Sequence, residues 1–169
     1  GDLATAYREA QKNGLSVENL TSDNRMKRFK TAFSNIFENM EYLGIENIQN
    51  RKAILFKKFN INVPIEMLSS GEKQIVYRGA FLLKDCNSLQ GAFVFIDEPE
   101  ISLHPEWQKK IMNYYCDIFR NSEGTQTSQI FAVTHSPFII HNEKRTNDKV
   151  IVLTRNPITG IIEIKDKIF

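Results

Sequence analysis

Apolar residues recur at spacings of three and four from Asp23 to Leu43, where Met26, Phe29, Phe33, Ile36, Phe37, Met40 and Leu43 share one side of a helical projection. The stripe predicts a single helix over that span, with a surface to pack against. Ala53 to Phe59 reads as a short strand, and Glu72 to about Lys84 as a second helix carrying Ile75, Val76, Gly79, Leu82 and Leu83 on its inner side. Phe93 to Ile96 is continuously apolar. Pro105 to Arg120 returns to helical spacing, burying Trp107, Ile111, Tyr115 and Ile118, and Ile130 to Val133 is apolar again. Apolar strands interleaved with helices predict an α/β fold on a mostly parallel sheet flanked by helices on both faces. The end of the chain differs. Lys149 to Leu153 and Ile161 to Lys165 flank the turn-rich "TRNPITG", which predicts a β-hairpin at the C-terminal edge of the sheet.

Composition narrows the class without naming it. With 169 residues, 41% of them hydrophobic and 25% charged, the chain can bury one sizeable core. A formal charge of +2 demands neither a nucleic acid nor a membrane surface as partner. Its distribution is uneven, because Arg25 to Lys58 holds eight basic residues against three acids. Cys86 and Cys116 lack metal-type spacing, and neither a signal peptide nor a long apolar span is evident, so the expected setting is cytoplasmic, with no membrane partner. The chain enters helix-like sequence directly after Gly1, which reads as a segment of a larger protein.

Three loops at element ends carry candidate chemistry. In "LSSGEKQ", Leu68 to Gln74, Ser69 and Glu72 have capping-box spacing and Gly71 permits close backbone approach. A capped helix explains this in full, yet a helix N-terminus with a serine and a glycine is also suited to a phosphate. In "FIDEPE", Asp97 and Glu98 follow a buried strand, an arrangement suited to a divalent cation beside an activated water. The plain alternative is an exposed strand end entering a proline turn. In "FAVTHSP", His135 follows the next apolar strand, and parallel strands deliver their C-terminal ends to one crevice. A lone histidine is more often structural, but this one is directed to the same edge as Asp97.

In order and spacing these loops resemble the C-terminal half of an ABC-type ATPase. That family places a signature of the form L-S-G-G-Q before a helix, then an apolar strand ending in Asp-Glu (the Walker B element), a short D-loop, and a strand ending in a switch histidine. Here the positions read Leu68, Ser69, Ser70, Gly71 and Glu72, then Phe93 to Glu98, then Glu100 to His104, then His135. "DEPEISLHP" is most similar to the stand-alone ATPases of DNA repair and phage defence, those like RecF, the overcoming-lysogenization-defect nucleases and other AAA-labelled proteins. The resemblance implies a P-loop NTPase fold, with 1–60 as a helical arm region and connecting strand and 61–169 as the ATPase core half. It implies that Asp97 holds Mg2+, that Glu98 polarises the attacking water and that His135 contacts the γ-phosphate of ATP. Ser69, Ser70, Gly71 and Glu72 would reach ATP bound by a second protomer, and Glu100, Ser102 and His104 would line the contact of that homodimer.

Two features depart from the pattern. Ser70 and Glu72 stand where glycine and glutamine are usual, and none of the eight glycines opens a G-x-x-x-x-G-K-[ST] loop, since no Gly-Lys pair occurs. The expectation is therefore an ATPase half whose phosphate cradle lies outside this chain. A catalytically silent interaction or dimerisation domain is one alternative. A module for DNA or another nucleic acid, resting on "RMKRFK", is a second, and docking on an effector protein fits either. A metal hydrolase built on Asp97, Glu98, His104 and His135 is weaker, because Pro105 prevents a helical ligand pair around His104.

Overall fold

A computed structural model describes residues 25–48, 50–84, 91–120, 124–140 and 148–165. The first helix, α1 (Arg25–Ile36), presents Phe29, Ala32, Phe33 and Ile36 to the interior. Its expected start at Asp23 lies outside the described residues. The helical stripe does not run on to Leu43. The chain turns at Glu38 and Asn39 and enters β1 (Met40–Ile48), in which Met40 and Tyr42 are buried and Glu41 and Leu43 exposed. An alternation of two has replaced the helical period there. Leu43 is the extra residue of a bulge, and Gly44 beside it takes φ 134°.

Strand β1 pairs antiparallel with β2 (Arg51–Lys58), which pairs antiparallel with β3 (Ile61–Pro64) across a turn at Phe59 and Asn60. A short 3-10 turn, Ile65–Met67, leads into α2 (Ser70–Lys84). Then come β4 (Phe93–Asp97), α3 (Pro105–Ile118) and β5 (Gln129–Val133), which pairs parallel with β4 so that Asp97 lies opposite Val133. A single helical turn, α4 (Pro137–Ile140), follows. The terminal hairpin joins β6 (Val152–Arg155) to β7 (Ile162–Lys165) around Asn156 to Gly160, with β6 displaced toward the C-terminus of the expected Lys149 to Leu153.

One core unites the elements from α1 to α4, while among the described residues β6 and β7 form a two-stranded sheet of their own and not, as the sequence suggested, the edge of the parallel pair. Phe33 meets Phe29, Phe37 and Phe56 at ring-centroid distances of 5.4, 4.7 and 5.4 Å, and Phe37 meets Trp107 edge-on at 5.1 Å. Ile75, Tyr114 and Ile118 belong to the same cluster, so residues on both sides of position 60 share it. Helix α2 approaches α1 and α3 at Gly79, where a Cβ would collide with the Tyr114 hydroxyl and stand 2.9 Å from the Phe29 ring. Tyr114 Oη donates to the Ile75 carbonyl at 2.8 Å, fastening the two helices at this level.

The parallel pair is covered on one face only among the described residues. Val94, Ile96, Ile130 and Ala132 turn toward the core. Phe93, Phe95, Phe131 and Val133, one residue out of phase with them, are exposed on the other face, with Phe95 stacked on Phe131 at 5.1 Å.

Candidate functional site

Strand β4 ends at Asp97 and the chain turns at once. Glu98 takes φ 46°, a left-handed conformation uncommon for a residue with a side chain, and donates its backbone N–H to the Val133 carbonyl at 2.9 Å. Pro99 is fully buried, and its carbonyl accepts from Arg78 Nη1 at 2.6 Å. Arg78 belongs to α2 and also contacts the Tyr115 hydroxyl, so α2 holds the acid-bearing turn from behind. Arg78 was not singled out from the sequence, although a cation between Ile75 and Gly79 on an inward-facing side could have pointed to it.

At the mouth of this turn His135 Nε2 lies 3.3 Å from Glu98 Oε1, a contact that becomes an ion pair when the imidazole is protonated. His135 is 86% exposed in its side chain and Glu98 30%. Loss of hydration first, and then the neighbouring Glu100 charge, push the Glu98 carboxyl above its ordinary value, opposed by His135. The Asp97 carboxylate is exposed beside it, with no hydrogen bond or ion pair to another described residue. Hard, unengaged carboxylate oxygen suits Mg2+. No cluster of three His, Cys, Asp or Glu side chains forms a metal cage among the described residues.

The Glu100 carboxylate is turned into its own chain. Oε2 accepts from the Thr134 hydroxyl at 2.7 Å, and Oε1 accepts from the N–H groups of His135 and Ser136 at 2.8 and 3.1 Å. Burial opposes its charge, but the Thr134 hydroxyl and then backbone N–H groups, that of His135 among them, outweigh burial and hold it below the ordinary carboxylate range. Ser102, exposed and at φ 64°, and His104, exposed and capping α3 through Nδ1, complete the loop from Glu100 to His104.

The loop from Leu68 to Glu72 forms the expected capping box. Ser69 donates its N–H to Glu72 Oε2 at 2.8 Å, and Glu72 returns its N–H to Ser69 Oγ at 3.3 Å. Glu72 is buried and takes a further partner that the sequence did not disclose, Lys58 Nζ at 2.7 Å from strand β2. Burial works against its charge, yet Lys58 and Ser69 together hold Glu72 below the ordinary carboxylate range. Gly71 is buried because α2 starts against the next loop. A Cβ there would stand 2.7 Å from the Ser102 carbonyl oxygen and 3.0 Å from the Trp107 ring. Ser69 and Ser70 remain exposed. The structure thus brings Asp97, Glu98 and His135 to one edge, ties Glu100 to the backbone of His135, and seats the turn at Gly71 on the loop containing Ser102.

Comparison with known proteins places the chain in a family. Residues 4–141 match the family described as "AAA domain, putative AbiEii toxin, Type IV TA system", and the chain belongs to that family. It is an AAA-type, ATPase-related domain. It is 28% identical over 131 residues, 76% of its length, to an uncharacterized protein of Methanocaldococcus jannaschii, of which it covers 15%. It is 32% identical over 110 residues, 58% of its length, to the Retron Ec83 probable ATPase of Escherichia coli, of which it covers 19%. The chain therefore spans under a fifth of these two relatives. Among solved structures it superposes on a chain from a study of ATP-driven dimerization and DNA-stimulated activation of SMC ATPases with a TM-score of 0.58 and 17% identity, covering 88% of this chain and 86% of that one. The Smc head domain of Pyrococcus furiosus bound to the C-terminal domain of ScpA gives 0.56 at 17% identity, covering 83% and 34%. The shared fold is that of SMC ATPase heads, a P-loop NTPase fold.

Proposed function

We propose that this chain is the signature and hydrolysis half of an ATP-binding, ATP-hydrolysing ABC-like ATPase of the phage-defence or DNA-repair type, working as a dimer that sandwiches ATP. The observation that carries the reading is the convergence of Asp97, Glu98 and His135 at the ends of two parallel strands, with Glu98 and His135 3.3 Å apart. In this reading Glu98 takes a proton from the attacking water, and its raised carboxyl pKa favours that task. His135, exposed on its turn, reaches the terminal phosphate. Asp97 would hold Mg2+, which would supply neutralisation of phosphate charge. Ser69 and Ser70 would offer hydroxyls and first-turn N–H groups to ATP held by the partner protomer. Buried Gly71 and ion-paired Glu72 would act there through backbone and through the cap. The exposed Ser102 and His104 would lie at the protomer boundary.

A phosphate cradle must come from sequence other than this, since no Gly-Lys pair occurs in it. The open face of Phe93, Phe95, Phe131 and Val133 is where the lobe carrying that cradle would pack. Resemblance to the retron ATPase favours phage defence over repair. In the full-length protein, Glu98→Gln is expected to spare ATP binding and lower turnover by roughly two to four powers of ten. The same change removes one charge from a group of three neighbouring carboxylates, so thermal stability should hold or rise. Parent-like turnover in Glu98→Gln would rule out Glu98 as the base.

A further inference from the structure

The residue after the buried proline makes contacts that neither an exposed loop nor a dimer surface requires. Glu100 accepts from one hydroxyl and two consecutive backbone N–H groups, all from the turn that follows β5. Those N–H groups lie beyond the last ladder pair, Asp97 with Val133, where the sheet offers no acceptor. The same turn is held from its other side. Buried Ser136 donates its hydroxyl to Gln108 Oε1 of α3, and Gln108 Nε2 donates to the Leu103 carbonyl at 3.0 Å. The backbone at His135 is therefore fixed from two directions while its imidazole stays open to solvent and to Glu98.

We propose that Glu100 is a positioning residue, whose carboxylate clamps the Thr134 to Ser136 turn and so sets His135 against Glu98 and the terminal phosphate. This rests on the hydrolytic reading of Glu98 and His135 given above. Reach matters here: aspartate would fall one methylene short, whereas glutamine keeps a carbonyl for the two backbone donors and an amide that can pair with the Thr134 hydroxyl.

The test is steady-state ATP hydrolysis by the full-length protein. Glu100→Ala should lower kcat about 30- to 100-fold with KM for ATP moved by less than about 3-fold, the pattern of a misplaced reacting group and not of lost binding. Glu100→Gln should return kcat to within about 5-fold of the parent, and Glu100→Asp should resemble Glu100→Ala. A cycle with His135→Ala supplies the decisive number. If Glu100 acts through His135, the double variant should be no slower than His135→Ala alone. Full additivity would overturn the proposal, as would a parent-like kcat in Glu100→Ala or a Glu100→Gln protein as slow as Glu100→Ala. If Glu100→Ala does not fold, Thr134→Val, which removes the donor at 2.7 Å, takes its place in the cycle under the same criteria. Failure of the underlying reading has a different signature: Glu98→Gln and His135→Ala would both turn over like the parent.

Discussion

Glu72 shows how much of the loop from Leu68 to Glu72 is ordinary helix chemistry. Its carboxylate caps α2 through the Ser69 N–H and pairs with Lys58, so one buried side chain joins the helix start to strand β2. These partners, opposing the cost of burial, hold its folded-state pKa below the ordinary carboxylate value. A depressed acid stabilises the fold while it is ionised, so the contribution is complete above that value and is lost as the pH falls through the folded pKa. Glu72→Ala should therefore lower stability at pH 7 by about 2 kcal/mol, from the lost cap and the orphaned lysine. The gap between variant and parent should narrow on acidification to below pH 4, as urea denaturation at the two pH values would reveal. A gap that widens would show that the pair does not stabilise through charge.

Among the elements, close approach at Gly79 decides how α2 sits. Alanine there gains about 1 kcal/mol of helix propensity, but its methyl would meet the Tyr114 hydroxyl and the Phe29 ring, both core groups with little room to retreat. Overpacking should win, and Gly79→Ala is expected to destabilise by about 1–3 kcal/mol. Removing the obstructing oxygen with Tyr114→Phe should recover part of that loss, so the two changes should be less than additive in thermal or urea unfolding. Additive losses would mean that the hydroxyl is not the obstacle.

Element order was largely readable because apolar runs at Phe93 and Ile130 and helical spacing after Glu72 and Pro105 have single interpretations. The region from Phe37 to Leu43 misled because Phe33, Phe37 and Met40 satisfy a helical period, while burial of Met40 and Tyr42 follows the strand period. The covered and open faces of β4 were also beyond reach, since four consecutive apolar residues look the same whether one face is buried or two. The acids and histidine of the candidate site could be named from the order of motifs. Their supports could not, because Lys58, Gln108 and Thr134 reach Glu72, Ser136 and Glu100 across 14, 28 and 34 positions of sequence and fit no local pattern.

At the scale of the whole molecule, the arrangement of Ser69 distinguishes a cap from a site completed by a second protomer. As a cap alone, its loss in Ser69→Ala costs about 1 kcal/mol of stability and changes nothing specific to ATP. The proposed dimer demands more of it, because Ser69 and Ser70 lie exposed at the start of α2 while Gly71 seats that start against the Ser102 loop. Full-length Ser69→Arg should therefore still bind ATP through its own phosphate cradle, yet fail to dimerise around it or to hydrolyse it. Mixed with a protein whose cradle is disabled, it should form heterodimers with one doubly damaged site and one site free of both lesions. The intact site joins the good cradle of the Ser69→Arg chain to the good signature of its partner, so two inactive proteins should regain part of the parent ATPase rate on mixing. Heterodimers demonstrated by native mass spectrometry that recover no hydrolysis would argue against a role for Leu68 to Glu72 across the protomer boundary, and would leave the helix cap as the whole account of that loop.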